Sequence, residues 1–242
     1  MCRMLAAPLG MPGDHLVEPF RRMAQGLNAL NELNTSLGEW IHGDGWGAVY
    51  EEAERLKVSR SVAACWEAGA FESLRERQVF MIHARLATQG GVSLQNTHPF
   101  EMDVNSESWI FCHNGFVRDD LPIPSTLSKS DPTDSETVFH LLQPFLRVGD
   151  VLGGLREVYG AIQDFTSLNS FLLGPDEFWA VSLCAGNPNY YTLSLSETLH
   201  GPVISSEPLA ELVPHWTPIP SGHVVRIDRR SGEIQIHDIA ET

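Results

Sequence analysis

The chain has 242 residues, with 31 acidic against 16 basic side chains and a formal net charge of −15. That length suits one larger domain or two small ones, and an apolar fraction of 43% gives it a sizeable core to bury, which excludes intrinsic disorder. The acidic balance argues against binding nucleic-acid phosphates or anionic lipid, and no apolar run approaches the ~20 residues that a membrane-spanning helix needs. No signal-peptide pattern opens the chain, because Met1-Cys2-Arg3-Met4 runs quickly into Pro8, Gly10, Pro12 and Gly13. The expectation is a soluble, cytoplasmic protein with a single domain over residues 2–242 and no nucleic-acid or membrane partner.

In chain order, a strand is predicted over 4–8. A helix follows over about 15–30, where Leu16, Phe20, Met23, Leu27 and Leu30 recur at helical spacing. Strands are predicted over 48–52, 78–86 and 109–113. The stretch 118–132, rich in Asp, Pro, Ser and Thr, reads as a loop. A second helix should start near Thr133, with Thr133 or Asp134 as N-cap and Val138, Leu141, Leu142, Phe145 and Leu146 on its apolar face. A third is predicted over 151–164. Strands over 167–173, 178–184, 190–195, 223–228 and 233–237 complete the pattern, most of them β-branched or aromatic and bounded by Gly, Pro, Asn or Asp. The sum is one α+β domain in which strands outnumber helices.

The four cysteines, Cys2, Cys65, Cys112 and Cys184, are widely spaced with no CxxC pair, so a metal knuckle is unsupported. Three sit in apolar runs and read as small core hydrophobes. Cys2 differs by its place. Removal of Met1, which a small second residue permits, would leave a thiol and a free α-amine on one residue. The α-amine has an ordinary pKa of about 7.7–8.0, so it could take the thiol proton and later pass it to a leaving amine.

Four further segments carry polar groups beyond what a core needs. His42-Gly43-Asp44-Gly45-Trp46-Gly47 allows a tight turn or close backbone approach, but its spacing is not that of a dinucleotide fingerprint. His83-Ala84-Arg85-Leu86-Ala87-Thr88-Gln89 follows the apolar run Val79–Ile82. Arg85 therefore ends a buried strand, where it needs an anion: a structural acid, or a bound carboxylate that its planar fork fits bidentately. Asn96-Thr97-His98-Pro99-Phe100 comes next. Phe111-Cys112-His113-Asn114-Gly115 places an Asn-Gly pair after an apolar strand. That pair is either a hairpin turn or two N–H donors for a developing oxyanion. His42, His83, His98 and His113 each fall in one of these segments, yet no HExxH-like pair occurs; no metal is expected.

Taken together, these segments resemble the class II glutamine amidotransferases, a family of N-terminal nucleophile hydrolases. The order is the family's: Met-Cys-Arg, His42–Gly47, His83–Thr88, Asn96–Pro99, His113–Gly115 and Thr133-Asp134-Ser135-Glu136. A later Ser205-Ser206-Glu207-Pro208-Leu209, with Trp216 and Pro218–Gly222, looks like the C-terminal pattern of stand-alone members. The resemblance runs from residue 2 to about 228. It implies a four-layer α-β-β-α sandwich with two packed, mostly antiparallel sheets, and no cofactor. By the same resemblance Cys2 is the nucleophile and its freed amine the base. Asn114 and Gly115 form the oxyanion hole. Arg85, helped by Thr88, binds a substrate α-carboxylate, Asp134 holds the α-amino group, and His98 belongs to the substrate site. Gly45, Trp46 and His113 are structural or line the pocket.

Two departures stand out. Synthase-linked members often carry Trp and His where this chain has Leu86 and Gln89. Their amidotransferase domain is also followed by an acceptor domain, for which a chain of 242 residues leaves no room. The expected activity is therefore hydrolysis of a small γ-glutamyl substrate, glutamine or a γ-glutamyl compound of the ergothioneine or glutathione type. The alternatives are a glutaminase subunit feeding ammonia to a separate synthase chain, and a non-catalytic γ-glutamyl-binding protein on the same fold.

Overall fold

The computed structural model describes residues 2–28, 40–67, 69, 71–87, 90–127 and 132–240. Strand β1 (Cys2–Pro12) leads into helix α1 (Gly13–Ala24), then β2 (Trp46–Glu52), β3 (Arg55–Ser61), β4 (Gln78–Arg85), β5 (Phe100–Val104) and β6 (Glu107–Val117). Helices α2 (Asp134–Val148) and α3 (Val151–Ala161) follow, then β7 (Phe165–Leu173), β8 (Glu177–Ser182), the short helix α4 (Pro188–Tyr191), β9 (Ser194–Thr198), β10 (Gly201–Ser205), β11 (Thr217–Pro218), β12 (His223–Asp228) and β13 (Ile234–Asp238).

The strands form two sheets. One is seven-stranded, in the order β11-β9-β10-β1-β4-β2-β3; the other is six-stranded, β13-β12-β8-β7-β6-β5. Every named strand pairing is antiparallel. Alternation along the strands divides the core into three interfaces. Leu5 and Ala7 of β1, with Ile82 and Ala84 of β4, pack against Leu16, Val17 and Phe20 of α1. Met4 and Ala6, one residue out of phase, meet Ile110 and Cys112 of β6 and Phe171 of β7 between the sheets. Phe111, Leu168 and Leu172 on the far side of the second sheet pack against Val138, Phe139 and Leu142 of α2 and Leu155 of α3. Three interfaces make four layers, α-β-β-α, the architecture that the resemblance implies. Among the described residues no helix is long and apolar enough to cross a membrane.

Local chemistry explains where the elements end. Helix α1 stops at Ala24, short of the expected 30. Gly26 takes a left-handed φ of 71°, and the bonds Gly26 N–H to Met23 O and Leu27 N–H to Arg22 O close a Schellman motif. Leu27 is therefore exposed, and Leu30 lies outside the described residues. Helix α2 begins as expected: Thr133 accepts from the Glu136 N–H, and the Glu136 side chain accepts from the Thr133 N–H, a reciprocal cap. Helix α3 ends at Ala161 because Ile162 turns extended. The strand expected over 190–195 is replaced at its start by α4, with Pro188 at its first turn; pairing begins only at Ser194.

Strands β3, β5, β10 and β11 had no counterpart in the sequence pattern. Strand β3 is an edge strand of charged and polar residues, Arg55-Leu56-Lys57-Val58-Ser59-Arg60-Ser61, which suits an exposed edge but hides the strand signal. The pair Asn114-Gly115 lies inside β6 rather than in a hairpin turn.

Phe20 is completely buried between α1 and the first sheet. Phe20→Ala should lower the unfolding free energy by about 3–5 kcal/mol, measured by urea denaturation against the parent chain.

Candidate active site

The two central strands bring the predicted residues together. Strand β1 lies inside its sheet between β10 and β4, and its register with β4 sets Cys2 directly opposite Arg85. Both fall on the inner phase of their strands, as does Asn114, which continues the inward series Ile110, Cys112 on β6 of the other sheet. The sheets meet here: the Cys2 backbone N–H donates to Asn114 Oδ1 at 2.7 Å. The Asn114 Nδ2 amide is buried and has no hydrogen-bond partner among the described residues. One end of this amide thus holds the Cys2 backbone, while the other remains an available donor.

A small cleft opens in front of these groups. It is lined by Cys2, Arg85, Leu86, Asn96, His98, His113, Gly115, Thr133, Asp134 and Ser135. Of the residues singled out in the sequence, Cys2, Arg85, His98, His113, Gly115 and Asp134 line it directly, and Asn114 sits behind them. Thr88 lies outside the described residues. Gly45 and Trp46 are not part of the lining: Trp46 is buried in the α1 interface with its ring 5.0 Å from that of Phe71, which is a structural role.

The glycine-rich segment works one step away. Gly45 O accepts from the Arg85 N–H at 2.8 Å, and Arg85 O accepts from the Asp44 N–H at 2.9 Å. Asp44 Oδ2 accepts from the Ala87 N–H at 2.8 Å. The loop thereby fixes the backbone on which Arg85 stands. The Arg85 guanidinium donates to the carbonyl oxygens of Gly91 at 3.2 Å and Gly90 at 3.5 Å.

Asp134 sits at the first turn of α2. Its Oδ2 accepts from the Val117 N–H at 2.8 Å, and its Oδ1 from the Ser135 N–H at 2.8 Å. The carboxylate is therefore fixed by backbone donors on both oxygens, with lone pairs left for a ligand. At Gly115 an added Cβ would lie 1.7 Å from Ser167 O, so no side chain fits where β6 presses on β7. That close approach, not a turn, requires the glycine.

The histidines are held as neutral structural groups. His113 Nε2 donates to Ser167 O at 3.0 Å, and its Nδ1 pairs with Ser135 Oγ at 2.9 Å. His83 Nε2 donates to His113 O at 3.4 Å. His98 packs its ring 4.4 Å from those of His83 and Phe100, and neither of its nitrogens has a partner among the described residues. His42 Nδ1 donates to Ala24 O, while its Nε2 meets Tyr190 Oη at 2.8 Å. Burial lowers all four below the ordinary histidine range, with His83 lowered to about 3. Among the described residues no group of three or more His, Cys, Asp or Glu is arranged to hold a metal ion.

Sequence reasoning missed Leu86, Asn96, Thr133 and Ser135 as lining residues. Two of them flank Asp134 in the Thr-Asp-Ser-Glu segment, where the T-x-x-E capping signature already announced a helix start. It also missed the ion pair that Arg3 forms with Glu207 at 3.0 Å.

Residues 22–167, more than half the chain, match the family described as "Glutamine amidotransferases class-II". The chain belongs to the class II glutamine amidotransferases. The matched span includes Arg85, Asn114, Gly115 and Asp134 and excludes Cys2 and Glu207. A Haemophilus influenzae protein named "Putative glutamine amidotransferase" is 28% identical over 205 residues, covering 78% of this chain and 65% of that protein. The chain thus spans less than two thirds of that relative.

Two solved structures share the fold. The B. subtilis glutamine phosphoribosylpyrophosphate amidotransferase has a TM-score of 0.69 at 12% identity, covering 100% of this chain and 50% of its own. A Silicibacter pomeroyi glutamine aminotransferase class-II domain protein has a TM-score of 0.58 at 14% identity, covering 100% of both chains.

The buried histidines tie stability to pH. Unfolded imidazoles take up protons near pH 6.5, whereas folded His83 does so only at about 3. The unfolded state therefore binds more protons between these values, and stability present above about pH 6.5 is lost as pH falls below it. His83 alone should remove about 2 kcal/mol between about pH 7 and pH 5. Denaturant unfolding at the two pH values should show this loss, and His83→Gln should reduce the difference.

Proposed function

We propose that this class II amidotransferase chain is an amidohydrolase that cleaves γ-glutamyl amides with Cys2 as its nucleophile. The observation that carries the reading is the 2.7 Å bond from the Cys2 nitrogen to Asn114 Oδ1, with Asn114 Nδ2 unpartnered among the described residues at the edge of a cleft bearing Arg85 and Asp134.

The steps follow from the groups at hand. Once Met1 is removed, the Cys2 nitrogen is an amine. One N–H remains on Asn114 Oδ1, and its lone pair is left to take the Sγ proton. Sγ attacks the γ-carbonyl carbon, and the carbonyl oxygen becomes an oxyanion stabilised by Asn114 Nδ2–H and the Gly115 N–H. The intermediate collapses by breaking the C–N bond. The leaving amine, or ammonia when the substrate is glutamine, takes the proton from the Cys2 ammonium. Water then attacks the thioester, the amine accepts its proton, and glutamate leaves as Sγ is released.

The substrate head is a zwitterion, and the cleft offers one group for each pole. Arg85 suits the α-carboxylate, and the backbone-fixed Asp134 carboxylate suits the α-ammonium. His98 presents a neutral imidazole to the same cleft.

The test is glutamate release from glutamine and γ-glutamyl peptides by protein whose intact mass shows Cys2 as the first residue. Turnover is expected, and Cys2→Ala should abolish it while keeping the fold. Asn114→Ala should lower kcat about 10²–10³-fold with little change in KM. Saturable binding of glutamine without glutamate release by the Cys2-first protein would overturn the catalytic reading in favour of a binding protein.

A further inference from the structure

Arg3 follows the nucleophile directly, and the reaction of Cys2 makes no use of it. Its side chain is 1% exposed, and its partner Glu207 is 3% exposed. Besides the ion pair, Arg3 Nη1 donates to Ser206 O at 3.3 Å and to Tyr190 O at 3.5 Å, and the guanidinium lies 4.3 Å over the Tyr190 ring. Tyr190 Oη in turn meets His42 Nε2 at 2.8 Å. The cation therefore ties together β1, the Ser206-Glu207 segment, α4 and the start of the glycine-rich loop.

The backbone shows why such a tie is placed here. On the β4 side, β1 is paired up to Cys2, opposite Arg85. On the β10 side the ladder ends at Leu5 opposite Ser205. Beyond it, the first residues are held by a different set of bonds: Ser206 N–H to Met4 O at 2.9 Å, Met4 N–H to Ser206 Oγ at 2.9 Å, and then the Arg3–Glu207 pair. Burying two charges gives little net stability over an apolar pair of the same size. What it does give is direction, because a planar guanidinium that donates to two carbonyls from Nη1 and faces a carboxylate from Nη2, with Nε unpartnered among the described residues, has few alternative placements.

We propose that Arg3 and Glu207 are positioning residues for Cys2, clamping the start of β1, which is laddered on its β4 side alone, so that the Cys2 nitrogen stays on Asn114 Oδ1. The catalytic consequence rests on the amidohydrolase reading, whereas the clamp itself does not. Displacement of a reacting group by about 1 Å can cost on the order of 10²-fold in rate, so loosening this end should appear in kcat rather than in KM.

The experiment compares the full chain with Glu207→Gln, Arg3→Lys and the apolar double variant Arg3→Met/Glu207→Leu, which leaves no lone buried charge and so folds even where a single variant does not. Amide hydrogen exchange is followed by mass spectrometry on the peptide that starts at Cys2, with β12 and β13 as internal reference. In parallel, kcat and KM are measured for glutamate release from glutamine. The expected result is exchange at the Arg3 and Met4 amides about tenfold faster with the reference strands unchanged, a fall in kcat of about tenfold or more, and KM within about threefold. Parent-like exchange and kcat in the folded double variant would overturn the proposal. So would exchange that accelerates equally in all strands, or local acceleration with kcat unchanged. If the parent chain itself releases no glutamate, the amidohydrolase reading fails, and the exchange measurement still decides the clamp.

Discussion

The register of β1 in the middle of its sheet is the constraint on which the site depends. Side chains alternate between faces, so a slip of one residue would carry Cys2 from the inter-sheet face to the α1 face and bring Arg3 inward. The pairing Cys2↔Arg85 also sets the distance between thiol and guanidinium, because directly opposed residues in an antiparallel pair stand as near as two strands allow. The inter-sheet packing of Met4 and Ala6 against Ile110, Cys112 and Phe171 holds that register and brings Asn114 over the end of β1. The site is thus the polar end of an otherwise apolar interface.

The same geometry explains the division of labour among the motifs. Those near the cleft do not all touch it. Asp44 and Gly45 grip the backbone around Arg85, while Trp46 fills the α1 interface. The Ser205–Leu209 segment lies far along the chain from Cys2, yet Ser206 and Glu207 meet Arg3 and Met4. Segments that share an amino-acid pattern with a family can therefore do so because they support one another rather than the substrate.

Most of the strands were legible in the sequence as β-branched and aromatic runs bounded by Gly, Pro, Asn or Asp, whereas the four-layer arrangement came from the resemblance alone. The reciprocal cap at Thr133 and Glu136 was equally plain. What escaped was decided by position rather than by composition. Strand β3 is polar because it is an edge, and helix α1 stops early because Gly26 turns left-handed although Leu27 and Leu30 continue the helical spacing. The site residues were recognisable through the resemblance, but their mutual geometry was not. No local pattern says that Asn114-Gly115 lies inside a strand, or that its amide reaches across to the other sheet. The ion pair of Arg3 with Glu207 is beyond local reasoning altogether, since its members are separated by nearly the whole chain.

Burial settles which groups in the cleft carry charge. His83, His98 and His113 all lie in or beside it, and protonated imidazoles there would add positive charge next to Arg85 and oppose the negative charge of Asp134. Desolvation keeps them neutral, because a buried imidazolium loses more hydration than its weak partners return. Neutral rings can still donate and accept single hydrogen bonds, as His113 does to Ser167 O. The formal charges lining the cleft are then those of Arg85 and Asp134, one of each sign. A site so arranged presents two opposite charges on fixed backbone, and the surrounding imidazoles add shape without adding field.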